Sequence, residues 1–339
     1  VKTGGDGQQA LVNQPYALPL GVQVLDDFNR PVPGTTVAFS VLSGNAAINP
    51  AVAATDANGR VSVAVTAGPV AGTTQIRATV GTLSQDFTLT SRLPGPVVTS
   101  GDFRNAAGNS PGVTPGGIAI VRGSGMAPGI QGLQVASLIP GQLPTQFLGI
   151  EIQFGGVPAP IFWVSSQGGI EEIAFQVPFE APVGPSSVLI RSAGGGSTSV
   201  PNVQVLPVQP GVFETTIGGR RFAVATRPDG SFIGPDNPAV RGETIRFFAT
   251  GLGQTTPATA TNRTGVPGQT VLAPMVAGLN DAGVQIVSAE YMQGAIGIYV
   301  IGIEVPMTTA AGPAQPLGFG VQGADGNTVF ANGTQIPIR

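Results

Sequence analysis

Histidine and cysteine are both absent from this chain of 339 residues. Their absence excludes a Ser-His-Asp triad, a cysteine nucleophile, haem ligation through histidine, disulfides and zinc sites of the usual kind. Lysine is nearly absent as well, because Lys2 is the only lysine among 15 basic residues. A stabilising Lys-Asn cross-link in every domain is therefore not available. We expect no enzymatic activity, no catalytic residues, no metal and no cofactor, and we favour an architectural role.

Charge of either sign is scarce. Charged residues make up 10% of the chain, against about 25% in ordinary soluble proteins. A formal net charge of −3 gives no reason to expect a nucleic-acid partner, which requires clustered cations. The longest apolar run, near residues 295–303, falls short of the roughly 18 residues that a bilayer-spanning helix needs. We expect a protein that does not span a membrane and that is extracellular, in its mature form after signal removal.

Glycine and proline are abundant, with 51 and 31 residues. Both break long helices and favour many short strands joined by turns. Up to Arg92 the apolar and polar residues alternate with period two, as in Val61, Val63 and Val65, which indicates strands with one buried face. Turn residues separate these runs at regular intervals, so the segment 1–92 is predicted to be a seven-stranded β-sandwich.

The same segment carries short motifs of a known family. They are Gly5-Asp6-Gly7-Gln8, Val22-Gln23-Val24-Leu25-Asp26, Pro31-Val32-Pro33-Gly34 and Thr55-Asp56-Ala57-Asn58-Gly59-Arg60. On these residues the segment resembles the group 1 bacterial immunoglobulin-like domains of the invasin and intimin type. The resemblance implies an Ig-like sandwich that acts as a rigid spacer or tip-bearing rod on a bacterial cell surface.

Beyond a Pro-rich linker at 91–96 the chain repeats itself. One ungapped shift lays Gly123 on Gly251, Val177 on Val305 and Leu189 on Leu317. Such a constant offset predicts two copies of one β unit. The predicted architecture is therefore all-β, with three consecutive Ig-like β-sandwich domains at 1–92, 97–209 and 210–339, the second and third being an internal repeat.

Residues 97–339 also resemble a family, the two-lobed Solibacter-type C-terminal domain of large secreted acidobacterial proteins. The motifs include Phe154-Gly155-Gly156-Val157-Pro158, Phe175-Gln176-Val177-Pro178, Pro210-Gly211-Val212-Phe213 and Arg241-Gly242-Glu243. The stretch 290–301 departs from the family pattern. The family has no assigned enzymatic activity, so the resemblance implies secretion and β architecture.

Few residues suggest a chemical site. The neighbouring carboxylates Asp26-Asp27 and Glu171-Glu172 point to opposite faces of a strand and cannot share a substrate. Asp56-Ala57-Asn58-Gly59 and Asp325-Gly326-Asn327 offer too few oxygens for calcium, and Asx turns explain them better. Trp163 is interpreted as a packing residue, with sugar stacking as the alternative.

Two further patterns concern glycosylation. Asn262-Arg263-Thr264 and Asn332-Gly333-Thr334 match the N-glycosylation pattern. The Thr- and Ala-rich stretch 255–264 is predicted to be a long exposed loop, with O-glycan attachment as the alternative.

The ends of the chain carry the sharpest prediction from the sequence. Leu11, Val12 and Tyr16 near the start, and Ile336 and Ile338 near the end, could add as strands to an exposed sheet edge of a second copy. The alternative is that both ends complete their own domains.

With few charges to guard the sheet edges, we expect head-to-tail assembly of identical subunits into a bacterial extracellular filament or surface layer. The chain's partners would then be copies of itself. The competing hypothesis is an adhesin-type stalk or glycan-binding module of a cell-surface protein, with a glycan or surface ligand as its partner.

Overall fold

The computed structural model describes every residue, Val1–Arg339, as an all-β protein with one short 3₁₀ turn at Ser100–Asp102. The chain divides into two compact units, unit 1 at Val1–Pro94 and unit 2 at Gly95–Arg339. No helix in either unit has the length and the hydropathy to cross a membrane. The prediction of an all-β, Ig-like fold class is confirmed.

Unit 1 has nine strands in two sheets. The strands are β1 (Lys2–Gly4), β2 (Gln9–Leu11), β3 (Leu20–Gln23), β4 (Thr36–Ser43), β5 (Ala46–Asn49), β6 (Val52–Ala54), β7 (Arg60–Ala67), β8 (Gly72–Val80) and β9 (Leu83–Arg92). The sheet orders are β1-β3-β7-β5 and β2-β9-β8-β4-β6. Between the sheets lies one core in which Leu20, Ile76, Phe87 and Leu89 are fully buried. The predicted alternation of 61, 63 and 65 is seen as buried valines between exposed neighbours.

Nine strands replace the seven predicted for unit 1 because two edge strands are each split between the sheets. The chain leaves the first sheet after β1 and joins the second at β2, and it crosses again in the same direction between β5 and β6. At the first crossing Gly5 has a φ of +84°, and a Cβ there would lie 2.3 Å from the Pro19 carbonyl oxygen. Only glycine fits this close approach. At the second crossing Pro50 lacks the N–H that a continuous strand would need.

Unit 2 contains two lobes with a large core each. The strands of lobe 1 are β10 (Phe103–Asn105), β11 (Ile118–Gly123), β12 (Gly132–Val135), β13 (Gln146–Phe147), β14 (Ile150–Phe154), β15 (Val157–Pro158), β16 (Ile161–Gln167), β17 (Ile170–Gln176), β18 (Gly184–Arg191) and β19 (Ser197–Val205). Its sheets run β10-β11-β17-β16-β12 and β13-β14-β18-β19. Edge-to-face contacts of Phe103 with Phe154 and Phe175 mark the centre of its core.

Lobe 2 follows a similar plan. Its strands are β20 (Gly211–Val212), β21 (Glu214–Ile217), β22 (Arg220–Ala223), β23 (Ala225–Thr226), β24 (Thr244–Thr250), β25 (Thr255–Thr256), β26 (Thr270–Val271), β27 (Met275–Leu279), β28 (Ala282–Val284), β29 (Ile286–Tyr291), β30 (Tyr299–Glu304), β31 (Gly312–Gln322), β32 (Thr328–Phe330) and β33 (Thr334–Ile338). One sheet runs β20-β24-β30-β29-β26-β25, matching the order of the first sheet of lobe 1. The second runs β28-β27-β31-β32, with β33 also paired to β31, and β21-β22 form a separate ribbon. Division into domains at 97–209 and 210–339 stays a prediction.

Buried polar side chains join the two lobes. Gln176 is fully buried, and its Nε2 donates to the Gly116 carbonyl and to the Tyr291 hydroxyl at 3.3 Å each, while its Oε1 accepts from the Asn262 N–H at 2.8 Å. The Thr250 hydroxyl accepts from the Ile118 N–H at 2.8 Å. Since a buried polar group without a partner is costly, these bonds fix how the lobes meet.

Candidate functional site

The second and last strands of unit 1 lie side by side and run parallel. β2 pairs with β9 in the register Gln9 to Thr90, Ala10 to Ser91 and Leu11 to Arg92. The ladder extends at both ends: the Gly7 N–H donates to the Thr88 carbonyl and the Val12 N–H donates to the Arg92 carbonyl, each at 3.0 Å. This continuous parallel patch thus joins the two ends of the unit.

Asp6 extends the patch by one side-chain bond. Its Oδ1 accepts from the Thr88 N–H at 2.8 Å and its Oδ2 accepts from the Lys2 ammonium at 2.5 Å. The Lys2 hydrogen bond, and after it the Thr88 N–H, hold the pKa of Asp6 below its ordinary value. The only lysine of the chain therefore stabilises the charged form of the carboxylate that begins the patch.

The same closure recurs in both lobes of unit 2. In lobe 1 the Val113 N–H donates to the Gln204 carbonyl at 3.0 Å, and Val113 forms a parallel bridge with Val205 of β19. In lobe 2 the Ala239 N–H donates to the Pro337 carbonyl at 2.8 Å, and Ala239 forms a parallel bridge with Ile338 of β33. In each lobe a segment beyond the first strand therefore forms an isolated parallel bridge with the last strand; in lobe 2 this segment follows β20–β23.

Parallel pairing of an early strand with the last strand has a mechanical consequence in unit 1. Tension applied at the two ends of unit 1 runs along the paired strands β2 and β9, whereas the interstrand hydrogen bonds lie across them. The bonds are then loaded together in shear and cannot break one after another. The three parallel patches are the candidate functional site of this chain.

All five residues predicted to form an interface between copies lie within their own units. Leu11 and Val12 are half-buried, and Tyr16 is buried in the core of unit 1, where its N–H donates to the Val65 carbonyl at 2.9 Å. Ile336 and Ile338 lie together in the core of lobe 2. Exchange of either terminal strand would have to remove these side chains from a core, and an interface at these residues stays a prediction.

The adjacent carboxylates serve local structure. Glu171 Oε2 accepts from the Met126 and Ala127 N–H groups at 2.6 and 3.0 Å, whereas Glu172 forms an ion pair with Arg122. Asp26 Oδ1 closes a turn by accepting from two backbone N–H groups, at 2.9 Å each.

The two Asx turns predicted at the calcium-like motifs are present. Asp56 Oδ1 accepts from the Asn58 N–H at 2.8 Å and Asp325 Oδ1 accepts from the Asn327 N–H at 3.0 Å. No group of three or more Asp or Glu side chains is placed to hold a metal ion. Trp163 is half-buried on β16, opposite Val135.

The stretch 255–264 is only in part the exposed loop that was predicted: 257–264 lies outside the strands and half of the stretch is exposed, but its ends are held. Thr255 is buried in β25, the Thr261 hydroxyl accepts from the Phe179 N–H at 2.8 Å, and the Asn262 carboxamide binds both backbone groups of Leu143 at 2.8 Å. The segment docks on lobe 1 because each of these polar side chains finds a backbone partner there.

Sequence reasoning missed the polar junction between the lobes. Gln176 is part of the motif Phe175-Gln176-Val177-Pro178, which was used only to support the resemblance of residues 97–339 to a family. A glutamine directly after the apolar run Ile173-Ala174-Phe175 was the available signal, but its partners Tyr291 and Asn262 are distant in the sequence and could not be named.

Comparison with known proteins identifies unit 1. The model of the bacterial Ig-like domain (group 1) matches residues 8–92. Unit 1 carries an Ig-like domain of this family. The match does not extend into unit 2, so the Solibacter-type resemblance of 97–339 stays a prediction. No curated protein matches the chain.

Solved structures resemble the chain distantly. A 282-residue C-terminal intimin fragment, in complex with the intimin-binding domain of its translocated receptor, is 13% identical with a TM-score of 0.28, covering 62% of this chain and 64% of its own length. Invasin, a bacterial integrin-binding protein, is 12% identical with a TM-score of 0.26, covering 98% and 59%. A Bacteroides ovatus SGBP-B protein in complex with a mixed-linkage heptasaccharide is 12% identical with a TM-score of 0.30, covering 100% and 68%. The chain thus spans less than two thirds of the intimin and invasin structures.

Proposed function

We propose that this chain is a non-enzymatic, tension-bearing spacer segment of a bacterial cell-surface protein, of the kind found in an adhesin stalk. The observation that carries the proposal is the parallel β2–β9 pairing in unit 1, together with the parallel bridge to the last strand in each lobe of unit 2. The bacterial Ig-like domain in unit 1 supports a location at the cell surface. We further propose that the spacer consists of three domains, at 1–92, 97–209 and 210–339.

Mechanical unfolding from two directions tests the proposal, and the absence of cysteine allows handles at chosen sites. In the full chain, Val1→Cys with Pro94→Cys loads the β2–β9 patch in shear. Gln14→Cys with Pro94→Cys pulls the same two strands apart from one end. We expect the unit to survive longer at a given force in the first geometry. Release of the 94 residues of the unit adds up to about 32 nm of chain between the handles at 1 and 94, at about 3.4 Å per residue. The handles at 14 and 94 enclose a shorter segment, whose release adds up to about 27 nm.

Equal lifetimes in the two geometries would contradict the proposal, because the parallel patch would then add no directional resistance. A control pair of cysteine handles, one at each end of unit 2, shows whether the handles themselves change the unfolding lifetime under force.

Self-assembly into a filament or surface layer is the second candidate function. One observation favours it: β12 lies at the edge of its sheet and exposes 53% of Leu133 and 65% of Val135 with no charged residue on the strand. Such an uncharged apolar edge can accept another strand. Sedimentation velocity across concentrations tests this, and Val135→Lys should abolish any association that it detects.

A further inference from the structure

A cleft of about 720 Å³ opens in lobe 2, between the β21-β22 ribbon and strand β33. Glu214, Arg220 and Arg221 line it from the ribbon, and Thr334 and Gln335 line it from β33. The ribbon turns through Gly218 and Gly219, both with positive φ, as a two-residue hairpin requires. This turn brings Arg221 back beside Glu214, which pairs across the ribbon with Ala223, while Arg220 lies next to the turn, opposite Ile217.

Two buried polar atoms in this cleft have no hydrogen-bond partner in the protein. They are Glu214 Oε1 and Thr334 Oγ1, on side chains that are 10% and 5% exposed. The whole chain has only two other such atoms, in Tyr16 and Thr114. A buried carboxylate oxygen or hydroxyl without a partner is costly, so its presence needs an explanation. Two of them on facing walls of one cleft point to a shared ligand.

The charges of the cleft restrict the ligand further. Glu214 Oε2 is already paired with Arg221 Nη1 at 3.2 Å, which leaves Oε1 of this cleft-lining residue as the acceptor without a partner. Arg220 is exposed and forms no ion pair and no side-chain hydrogen bond. The cleft therefore offers one free cation, one free anionic acceptor and one hydroxyl. Its net charge, from two arginines and one glutamate, is positive.

A sugar acid satisfies all three groups. Its carboxylate can pair with the Arg220 guanidinium, one hydroxyl can donate to Glu214 Oε1, and a second hydroxyl can exchange a hydrogen bond with Thr334. At neutral pH sulfate has no hydroxyl and the phosphate dianion has one, so neither offers separate hydroxyl groups to Glu214 and to Thr334. A neutral sugar leaves Arg220 without an anion. We propose that this cleft binds a uronic acid residue of an acidic polysaccharide.

This binding site goes beyond the spacer function and does not depend on it. Ligand-observed saturation-transfer NMR of the full chain tests it with galacturonate and glucuronate as probes, and with galactose and glucose as neutral counterparts. We expect transfer to the uronates and at least about tenfold weaker binding of the neutral sugars, since one charge-assisted contact is lost. A dipeptide probe of equal charge should show no transfer.

Variants assign any binding to the cleft. Thr334→Val, Glu214→Gln and Arg220→Gln should each weaken uronate binding about tenfold or more. Arg241→Gln, an exposed arginine of the same lobe outside the cleft, should bind as the unmodified chain does. Thr334→Val is close to isosteric and removes an unpartnered hydroxyl, so it should bind weakly while melting no earlier than the unmodified chain.

Three results would overturn the proposal. The first is that neither uronate receives saturation transfer from the protein. The second is that Thr334→Val transfers saturation to the uronate as strongly as the unmodified chain does, and the third is that a uronate and its neutral counterpart receive equal saturation transfer. Equal binding of the dipeptide would assign the cleft to a peptide carboxylate in place of a sugar. None of these outcomes bears on the mechanical lifetimes, so the two proposals fail independently.

Discussion

Removing one hydrogen bond from the parallel patch of unit 1 should weaken the unit against force more than it weakens the unit at equilibrium. The Val12 N–H donates to the Arg92 carbonyl at 3.0 Å, at the end of the β2–β9 ladder. Val12→Pro deletes this donor, because proline has no N–H. At equilibrium the loss should be about 1 kcal/mol, the net worth of one exposed backbone hydrogen bond. For a domain of this size it should lower the melting temperature by about 4 to 8 °C.

Under force, the free energy of this one hydrogen bond should be subtracted in full from the activation free energy of unfolding. If the patch is what resists tension, its bonds are intact in the folded state and broken together at the transition state. About 1 kcal/mol removed from that barrier makes unfolding at constant force about fivefold faster.

Ala53→Pro is the matched control for this experiment. Ala53 lies on the edge strand β6, opposite Val37, and β6 is neither the first nor the last strand of the unit. A similar loss of melting temperature is expected there, with a much smaller change in lifetime under force. Equal acceleration by Val12→Pro and Ala53→Pro, measured at matched equilibrium stability, would refute the argument that the parallel patch carries the load.

Three other changes probe unit 2. Gln176→Leu removes the side-chain partner of the Gly116 carbonyl and of the Asn262 N–H, and it leaves the buried Tyr291 hydroxyl with the Gly297 N–H as its one donor. It should lower the free energy of unfolding by about 2 to 3 kcal/mol in denaturant titrations, whereas Gln153→Leu on the half-buried face of β14 should change it by less than about 1 kcal/mol. Burial raises the pKa of Tyr291 to about 12, so the folded state holds the phenolic proton more tightly than the unfolded chain, whose tyrosine pKa is about 10. The stabilisation is therefore complete below pH 10 and is lost as the pH rises from 10 to 12, by up to about 3 kcal/mol, and Tyr291→Phe should make that loss smaller in alkaline melts. Asn262 and Asn332 should carry no glycan when the chain folds in a glycosylating host, because both carboxamides already bind backbone groups. Mass spectrometry of the secreted protein checks this, and a glycan at either site would contradict the placement of these side chains.

The period-two patterns were sufficient to predict the β fold. Val61, Val63 and Val65 are buried in alternation because a strand sends successive side chains to opposite faces, and this is a local property of the sequence. The turn at Asp56 was predictable for the same reason, since its carboxylate binds the backbone two residues onward.

What sequence could not supply were partners distant along the chain. Asn262 carries the glycosylation pattern in the sequence, yet in the fold its carboxamide bonds to Leu143 in the other lobe. The cleft could not be predicted either, because its lining residues Glu214 and Thr334 are distant in the sequence and come together only when β33 packs beside the ribbon. No local pattern distinguishes an orphaned threonine hydroxyl from an ordinary one.

The connection between the lobes of unit 2 determines whether tension passes through it or is lost in a hinge. The linking segment near Gln209 is bonded on both sides: its N–H donates to the Gly251 carbonyl at 2.9 Å, and its carbonyl accepts from Asn105 Nδ2 at 2.6 Å. Asn105 belongs to lobe 1 and Gly251 to lobe 2, so the link is anchored to each lobe. A segment held in this way cannot extend under load until those bonds break. Asn105→Ala should therefore leave both cores folded while adding compliance to unit 2 at forces below those that unfold either lobe. An unchanged force-extension curve for Asn105→Ala would show that the buried contacts around Gln176 hold the lobes together without the link.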